Sequence, residues 1–205
     1  MKTAAKGLLI VLGSLITIVL IILFILFVLF PAAIHPPRPV ITYCEFPFTL
    51  IYELNGETEI IEDTAICEFD GYGELSSAGQ NREWEVYLKS KKNSEEAEST
   101  FVHVTLLDLR NQEVYDDFGN EVLELYFFGG NGHYYMGDTL GNLHREPQSF
   151  DEVHYMYKHK EGCIGYSSIN SEVAFEKYKI KIMDWTSHDP IPNAYKKWGI
   201  IPVDK

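Results

Sequence analysis

A mainly β, antiparallel domain carried behind an N-terminal membrane helix is the architecture this sequence predicts, and three observations carry it. A charge-free apolar run fills Gly7 to Phe30, and four of the nine prolines crowd into the segment from Pro31 to Pro39 directly after it. Beyond that point, short runs rich in β-branched and aromatic residues recur, separated by clusters of Asn, Asp and Gly. That alternation of runs and turns belongs to an antiparallel sandwich or a barrel-like sheet.

The apolar run comes first in the chain. At about 1.5 Å per residue it reaches roughly 36 Å, more than the roughly 30 Å of a bilayer's hydrocarbon core. Backbone amides inside lipid must be satisfied within the segment, so a lone span has to be helical. A cleaved signal peptide has a shorter apolar part, about 7 to 15 residues, followed by a small-x-small site. Pro31-Ala32-Ala33 makes a poor one. Lys2 and Lys6 precede the run, no acid offsets them, and only Arg38 follows soon after. The positive-inside rule then leaves residues 1–6 in the cytoplasm, and the expected partner of residues 7–30 is the lipid bilayer. Gly13 and Thr17 form a small-xxx-small pair through which two such helices could approach.

Residues 31–39 read as a semi-rigid polyproline spacer, because proline fixes φ and lacks a backbone donor. The domain proper is 40–205, and it is acidic. The whole chain carries −13, from 17 Lys and Arg against 30 Asp and Glu. With Lys2 and Lys6 set aside, 15 basic residues face all 30 acids, a balance of −15 outside the membrane. Such a surface repels phosphate backbones and anionic headgroups, so nucleic acid is excluded as a partner. Composition also excludes collagen, low-complexity and disulfide-dense scaffolds.

Within the domain, Asn55-Gly56 sits between two β-prone runs, 40–54 and 57–69, and is the preferred pair for a type I′ hairpin turn. Further strands are expected at 83–90, 100–109, 121–128, 133–136, 151–158 and 163–167. Turns are expected at 70–73, 91–99, 116–120, 129–132 and 137–142. One short helix near the C-terminus interrupts the pattern over 171–178. Asn170 or Ser171 can cap it, Glu172 lies in its first turn, Lys177 lies near its end, and a strand follows at 180–185.

Three cysteines, at 44, 67 and 163, leave an odd count. A two-residue turn at 55–56 places Cys44 opposite Cys67 in a hydrogen-bonded position, with Cα atoms about 5.5 Å apart, which permits a cross-strand disulfide. Pro47 argues the other way, since a bulge there would send the two sulfurs to opposite faces and leave two separate thiols. Cys163 reads as a small core residue.

No nucleophile elbow, zinc-protease helix or P-loop occurs, and the seven histidines lack ligand spacing, so neither a catalytic residue, a cofactor nor a metal site is expected. The acidic loop Asp116-Asp117-Phe118-Gly119-Asn120 reads as an Asp/Asn/Gly turn before it reads as a calcium loop. Tyr134, Tyr135 and Asp138 form a candidate binding loop, because tyrosine offers a large apolar face with a polar tip. The competing reading is that the tyrosines simply line a sheet. The C-terminal stretch from Pro190, with Lys196, Lys197 and Trp198, is expected to wrap the domain.

The segments Ile41-Thr42-Tyr43-Cys44-Glu45-Phe46-Pro47-Phe48, Asn55-Gly56-Glu57, Ile66-Cys67-Glu68-Phe69-Asp70-Gly71 and Tyr134-Tyr135-Met136-Gly137-Asp138 together resemble a group of uncharacterised, single-pass membrane-anchored proteins of Gram-positive bacteria. The resemblance implies an extracytoplasmic domain at the bacterial cell surface and implies no activity. The leading expectation is therefore a non-enzymatic module that binds a protein or envelope component. Two others stand beside it: an envelope hydrolase using carboxylates such as Asp70, Glu74 or Asp138, and a cation-binding sensory domain.

Overall fold

The computed structural model describes residues 2–24, 36–74, 80–92, 100–139 and 143–196, with side chains from Gly13 onward in the first helix and up to Ala194 at the far end. The chain divides into two units.

The first unit comprises Met1–Arg38, Tyr72–Arg82 and Tyr195–Lys205. It contains helix α1 (Lys2–Phe24). Every described side chain of α1, Gly13 to Phe24, is exposed, its large apolar residues from Leu15 to Phe24 included. The Thr17 hydroxyl donates to the Gly13 carbonyl at 2.9 Å, which turns that polar group back onto its own helix. Among the residues with described side chains, which in α1 are Gly13–Phe24, no helix is long and apolar enough to cross a membrane. Residues 25–35, which hold the end of the expected span and most of the expected spacer, lie outside the described residues, as does 197–205 of the expected wrapping tail. Arg38 and Tyr195–Lys196 lie in a two-stranded sheet formed by β1 (Arg38–Pro39) and β10 (Tyr195–Lys196). The buried Arg82 guanidinium donates to the Pro37 carbonyl at 3.0 Å.

The second unit, Pro39–Gly71 and Glu83–Ala194, is a β-sandwich. Its first sheet has the order β4 (Arg82–Leu88), β3 (Glu57–Tyr72), β2 (Tyr43–Leu54), β9 (Ile180–Ser187). Its second has the order β5 (Phe101–Asp108), β6 (Glu121–Asn131), β7 (Glu152–Lys158), β8 (Ile164–Asn170). The expected mainly β, antiparallel class is what the domain shows.

The hairpin between β2 and β3 forms as expected. Asn55 and Gly56 both have positive φ, 55° and 85°, the signature of a type I′ turn whose twist matches the strands it joins. The ladder then runs without a slip from Leu54↔Glu57 to Tyr43↔Glu68, through Pro47↔Thr64 and Cys44↔Cys67. Just ahead of the start of β2, the Thr42 carbonyl accepts from the Phe69 amide of β3 at 2.9 Å, which fixes the phase of the pattern. In that phase Pro47 occupies a non-hydrogen-bonded position, so the donor it lacks would have pointed away from β3. On that side β9 ends with Ser187 opposite Phe48. The proline is tolerated because no partner needs its N–H.

Helix α2 (Gly132–Tyr135) is a single turn directly after β6, and helix α3 (Ser171–Tyr178) follows β8. The second of these lies where it is expected, with the Asn170 side chain accepting from the Glu172 amide at 2.8 Å. Lys179 ends it in the left-handed conformation, φ 57°, and hands over to β9.

Four expectations are corrected. The segment 133–136 is not a strand, since α2 occupies it. The Asn131 side chain accepts from the Tyr134 amide at 3.0 Å, a cap that outweighs the β propensity of the two tyrosines. The expected turn at 129–132 is strand, because β6 runs on through Asn131. Glycine is required there by close approach: a Cβ on Gly129 would lie 2.8 Å from Val102 Cγ1. The expected turn at 70–73 lies within β3 up to Tyr72, with Gly71 at φ 110°. Cys163 is exposed rather than a core residue, since it stands in the loop ahead of β8.

The two sheets share one core. Phe46, Phe48, Leu50 and Tyr52 from β2 meet Val102, Val104, Val122, Leu125 and Phe127 from the second sheet. The Trp185 ring bridges them, with centroids 4.6 Å from Phe48 and 4.7 Å from Phe127. Each strand delivers alternate residues to this core, which leaves the intervening residues to form two outer faces.

Candidate functional site

The outer face of the second sheet collects aromatic and imidazole rings from all four of its strands. Phe101 and His103 lie on β5, Tyr126 and Phe128 on β6, His154 on β7 and Tyr166 on β8. Each occupies a position that alternates with a core residue, so each points away from the sandwich interior. Their rings form a continuous platform. The His103 and Tyr126 centroids are 4.0 Å apart at 18°, a stacked pair. Tyr126 lies 5.6 Å from His154, His154 lies 5.8 Å from Phe128, and Phe128 lies 5.3 Å from Phe101. Tyr166 stands edge-on to Tyr126 at 6.4 Å.

Cross-strand pairing accounts for this assembly. His103 faces Phe128, Tyr126 faces His154, and Met156 faces Tyr166. Rings on facing positions of neighbouring strands come within contact range, and such pairs add about 0.2 to 1 kcal/mol each. The platform is graded in depth. Tyr126 is 3 % exposed at its centre, whereas Tyr166 at 58 % and Ile164 at 48 % stand open at the β8 edge.

Beside the rings lies a buried carboxylate. Glu124, 3 % exposed, has Oε1 within 2.5 Å of His103 Nε2 and accepts a hydrogen bond from Arg110 Nη2 at Oε2, 3.0 Å. A buried charge needs this sort of pairing, because its desolvation otherwise costs several kcal/mol. Burial shifts the titration of neighbouring groups as well. It raises the Tyr126 hydroxyl, with Tyr166 and Glu124 adding to the effect, and it lowers the His154 imidazole, which Glu152 opposes. His154 is thereby favoured as a neutral ring, able to donate from one nitrogen and accept at the other.

Chemically, the platform offers stacking area, two imidazoles and one oriented carboxylate–guanidinium pair. That combination suits recognition of a ring-bearing or mixed polar and apolar surface. Among the described residues no group of three or more His, Cys, Asp and Glu is arranged to hold a metal ion.

The candidate loop from the sequence lies elsewhere and is built differently. Tyr135 and Asp138 are fully buried, so the expectation that they present a binding surface is corrected for those two. The Tyr135 hydroxyl donates to the Gly129 carbonyl at 2.6 Å, and Trp84 Nε1 donates to Asp138 Oδ2 at 2.9 Å. His133 Nδ1 stands 3.6 Å from the same oxygen. These contacts fasten α2 against β4 and β6. Only Tyr134 is half-exposed, edge-on to His144 at 5.4 Å.

The carboxylates of the hydrolase and cation readings also have defined places. Asp70 and Glu74 are exposed, and Asp138 is sealed beneath Trp84, so these three do not form a pair of carboxyls within a cleft. Asp116 closes its own turn by accepting from the Phe118 and Asn120 amides and from Asn120 Nδ2, at 2.8 to 2.9 Å. Partial burial raises its carboxyl, and these hydrogen bonds outweigh that and hold it below the ordinary range. Cys44 and Cys67 face one another as free thiols. A shallow groove of about 480 Å³ lies where β9 ends, beside Pro47, Thr49, Thr64 and His188; it gathers no comparable set of rings.

The platform is not among the features the sequence announces. Its signal is present as aromatic residues at off-core positions of successive strands, 101 and 103, then 126 and 128, then 154 and 166. No protein family matches this chain, and no curated protein or solved structure matches it either.

Proposed function

We propose that this chain is a single-pass membrane protein that holds an acidic β-sandwich on the extracytoplasmic side, where the aromatic outer face of the β5–β8 sheet binds a protein or envelope component without chemical turnover. The observation that carries the binding reading is the platform itself: six rings and a buried carboxylate gathered on the side of the β5–β8 sheet that faces away from the shared core. A sheet face turned to water ordinarily alternates to polar residues. Exposed Tyr166 and Ile164 give a partner an apolar landing edge, and half-buried His154 gives it a polar contact.

The anchoring half of the proposal is supported by the charge-free run from Gly7 to Phe30, by the helical conformation of Lys2–Phe24, and by the exposure of every described apolar side chain on α1. The lysines at 2 and 6 favour a cytoplasmic N-terminus. The resemblance to membrane-anchored surface proteins of Gram-positive bacteria agrees with the anchoring half.

Two measurements test it. A benzophenone amino acid placed at Tyr166 in cells expressing the chain is expected to crosslink a discrete partner, while the same probe at Thr49 on the other sheet is not. Equal labelling at both positions, or none at Tyr166, would overturn the binding reading. Protease added to intact cells or protoplasts is expected to degrade the β domain, and its survival would overturn the placement.

A further inference from the structure

We propose that Cys44 and Cys67 are a site of covalent modification, a thiol pair that closes into a cross-strand disulfide by exchange with a small-molecule or protein disulfide. The register carries the proposal. Cys44↔Cys67 is a direct pair of the β2–β3 ladder, and no bulge intervenes between it and the Asn55-Gly56 turn. The Phe69 amide to Thr42 carbonyl bond, two residues further along each strand, makes 44↔67 a hydrogen-bonded pair. Cα atoms in such pairs lie about 5.5 Å apart, inside the span that disulfides occupy.

Side-chain direction agrees. Cys44 lies two, four and six residues before the core residues Phe46, Phe48 and Leu50, on their side of β2, and packs against the core, and Cys67 belongs to that core. Both sulfurs therefore lie on the same inner face. The two thiols are unequal in access: Cys67 is fully buried, whereas Cys44 is half-buried at the end of β2. An external disulfide can reach Cys44 first.

The exchange then has a defined order. The Cys44 thiolate attacks one sulfur of the external disulfide, breaking its S–S bond and releasing one thiol. The mixed disulfide left on Cys44 is attacked by Cys67, whose proton leaves with the second released thiol. Two protein thiols are oxidised, one external disulfide is reduced to two thiols, and atoms and electrons balance. Burial raises the Cys67 thiol well above its ordinary range, with Cys44 adding to the effect, which adds to its inaccessibility in disfavouring Cys67 as the first thiol to exchange. The product ties the open end of the longest hairpin, opposite its turn. The exposed Cys163 takes no part.

The test uses the full chain in detergent, in a Cys163→Ser background, incubated with oxidised glutathione, alkylated and weighed. The expected result is a chain two hydrogens lighter with no alkylatable thiol, restored to two by dithiothreitol and melting at a higher denaturant concentration when oxidised. Two alkylatable thiols, or a glutathione adduct that persists on either cysteine, would overturn the pair. Adding Cys67→Ser should trap a stable glutathione adduct on Cys44, and failure to trap it would overturn the order of attack. The detergent experiment reads the pair wherever the domain resides. A pair that closes there but is free in cells upholds this site and counts instead against the extracytoplasmic placement.

Discussion

The two sheets bury similar residues against each other yet present opposite outer faces. On the first sheet, charged and hydroxyl groups complete one another. The Tyr43 hydroxyl donates to Glu45 at 2.5 Å, Lys89 donates to the same carboxylate at 2.7 Å, and the Tyr87 hydroxyl donates to Glu68 at 2.9 Å. The hydrogen bond to Glu45 pushes the Tyr43 hydroxyl up to about 12, and Lys89 followed by Tyr43 holds Glu45 below the ordinary carboxylate range. On the second sheet the corresponding positions carry Phe101, His103, Tyr126, Phe128 and His154, with Glu124 buried beside them. One face carries polar groups that pair with each other, set among buried Ile66 and Tyr87 and exposed Ile60 and Met183. The other has the composition of an interface, with aromatic rings at its centre and the Glu124 carboxylate at depth between His103 and Arg110. A shared core therefore does not dictate a shared exterior.

The sharpest way to break this comparison is at the centre of the platform. Tyr126→Ala removes a ring that is 3 % exposed and touches rings on both sides, and is expected to cost about 3 kcal/mol in urea unfolding. A cost below about 1 kcal/mol would mean the second face is an ordinary wet surface after all. Next in size, Glu124→Gln keeps the shape but removes the charge facing Arg110, for an expected loss of about 1 to 2 kcal/mol by the same measurement.

A smaller effect appears in the pH dependence. Burial holds the His154 imidazole below its ordinary value, so the folded chain binds that proton less readily than the unfolded one. Its contribution is fully present above pH about 6.5 and is lost as pH falls from there toward the folded value. The melting temperature is expected to drop between neutral and mildly acidic pH, and to drop less in His154→Gln. Identical slopes in the two proteins would remove His154 as the cause. Last, Lys89→Met, just past the end of β4, breaks an exposed ion pair and is expected to leave the thermal midpoint within the scatter of repeat scans.

How much of this could be read from the sequence follows the range of the interactions involved. The Asn55-Gly56 turn and the Cys44↔Cys67 register needed only a local backbone preference and a count along two strands. The Ser171–Tyr178 helix needed only a cap at Asn170 and its first turn. The misreadings needed long-range knowledge. Gly129 and Gly130 look like a turn, but glycine stands at 129 because Val102 and Trp185 press against it from other strands. His133 to Met136 looks like a strand until Asn131 turns its side chain onto the Tyr134 amide and onto the amide of Arg145. The platform was half legible: alternation says which residues leave the core, but only strand order brings 103, 126, 154 and 166 side by side.

Pro47 has a consequence beyond the hairpin it interrupts so little. It is the first residue of β2 past the reach of β9, at the place where a sheet would offer unpaired backbone to a stray strand. A ring without a donor blunts that opening. Many copies crowded on one surface would be spared edge-to-edge polymerisation at this end of the first sheet, and the protection comes from an atom the chain does not have.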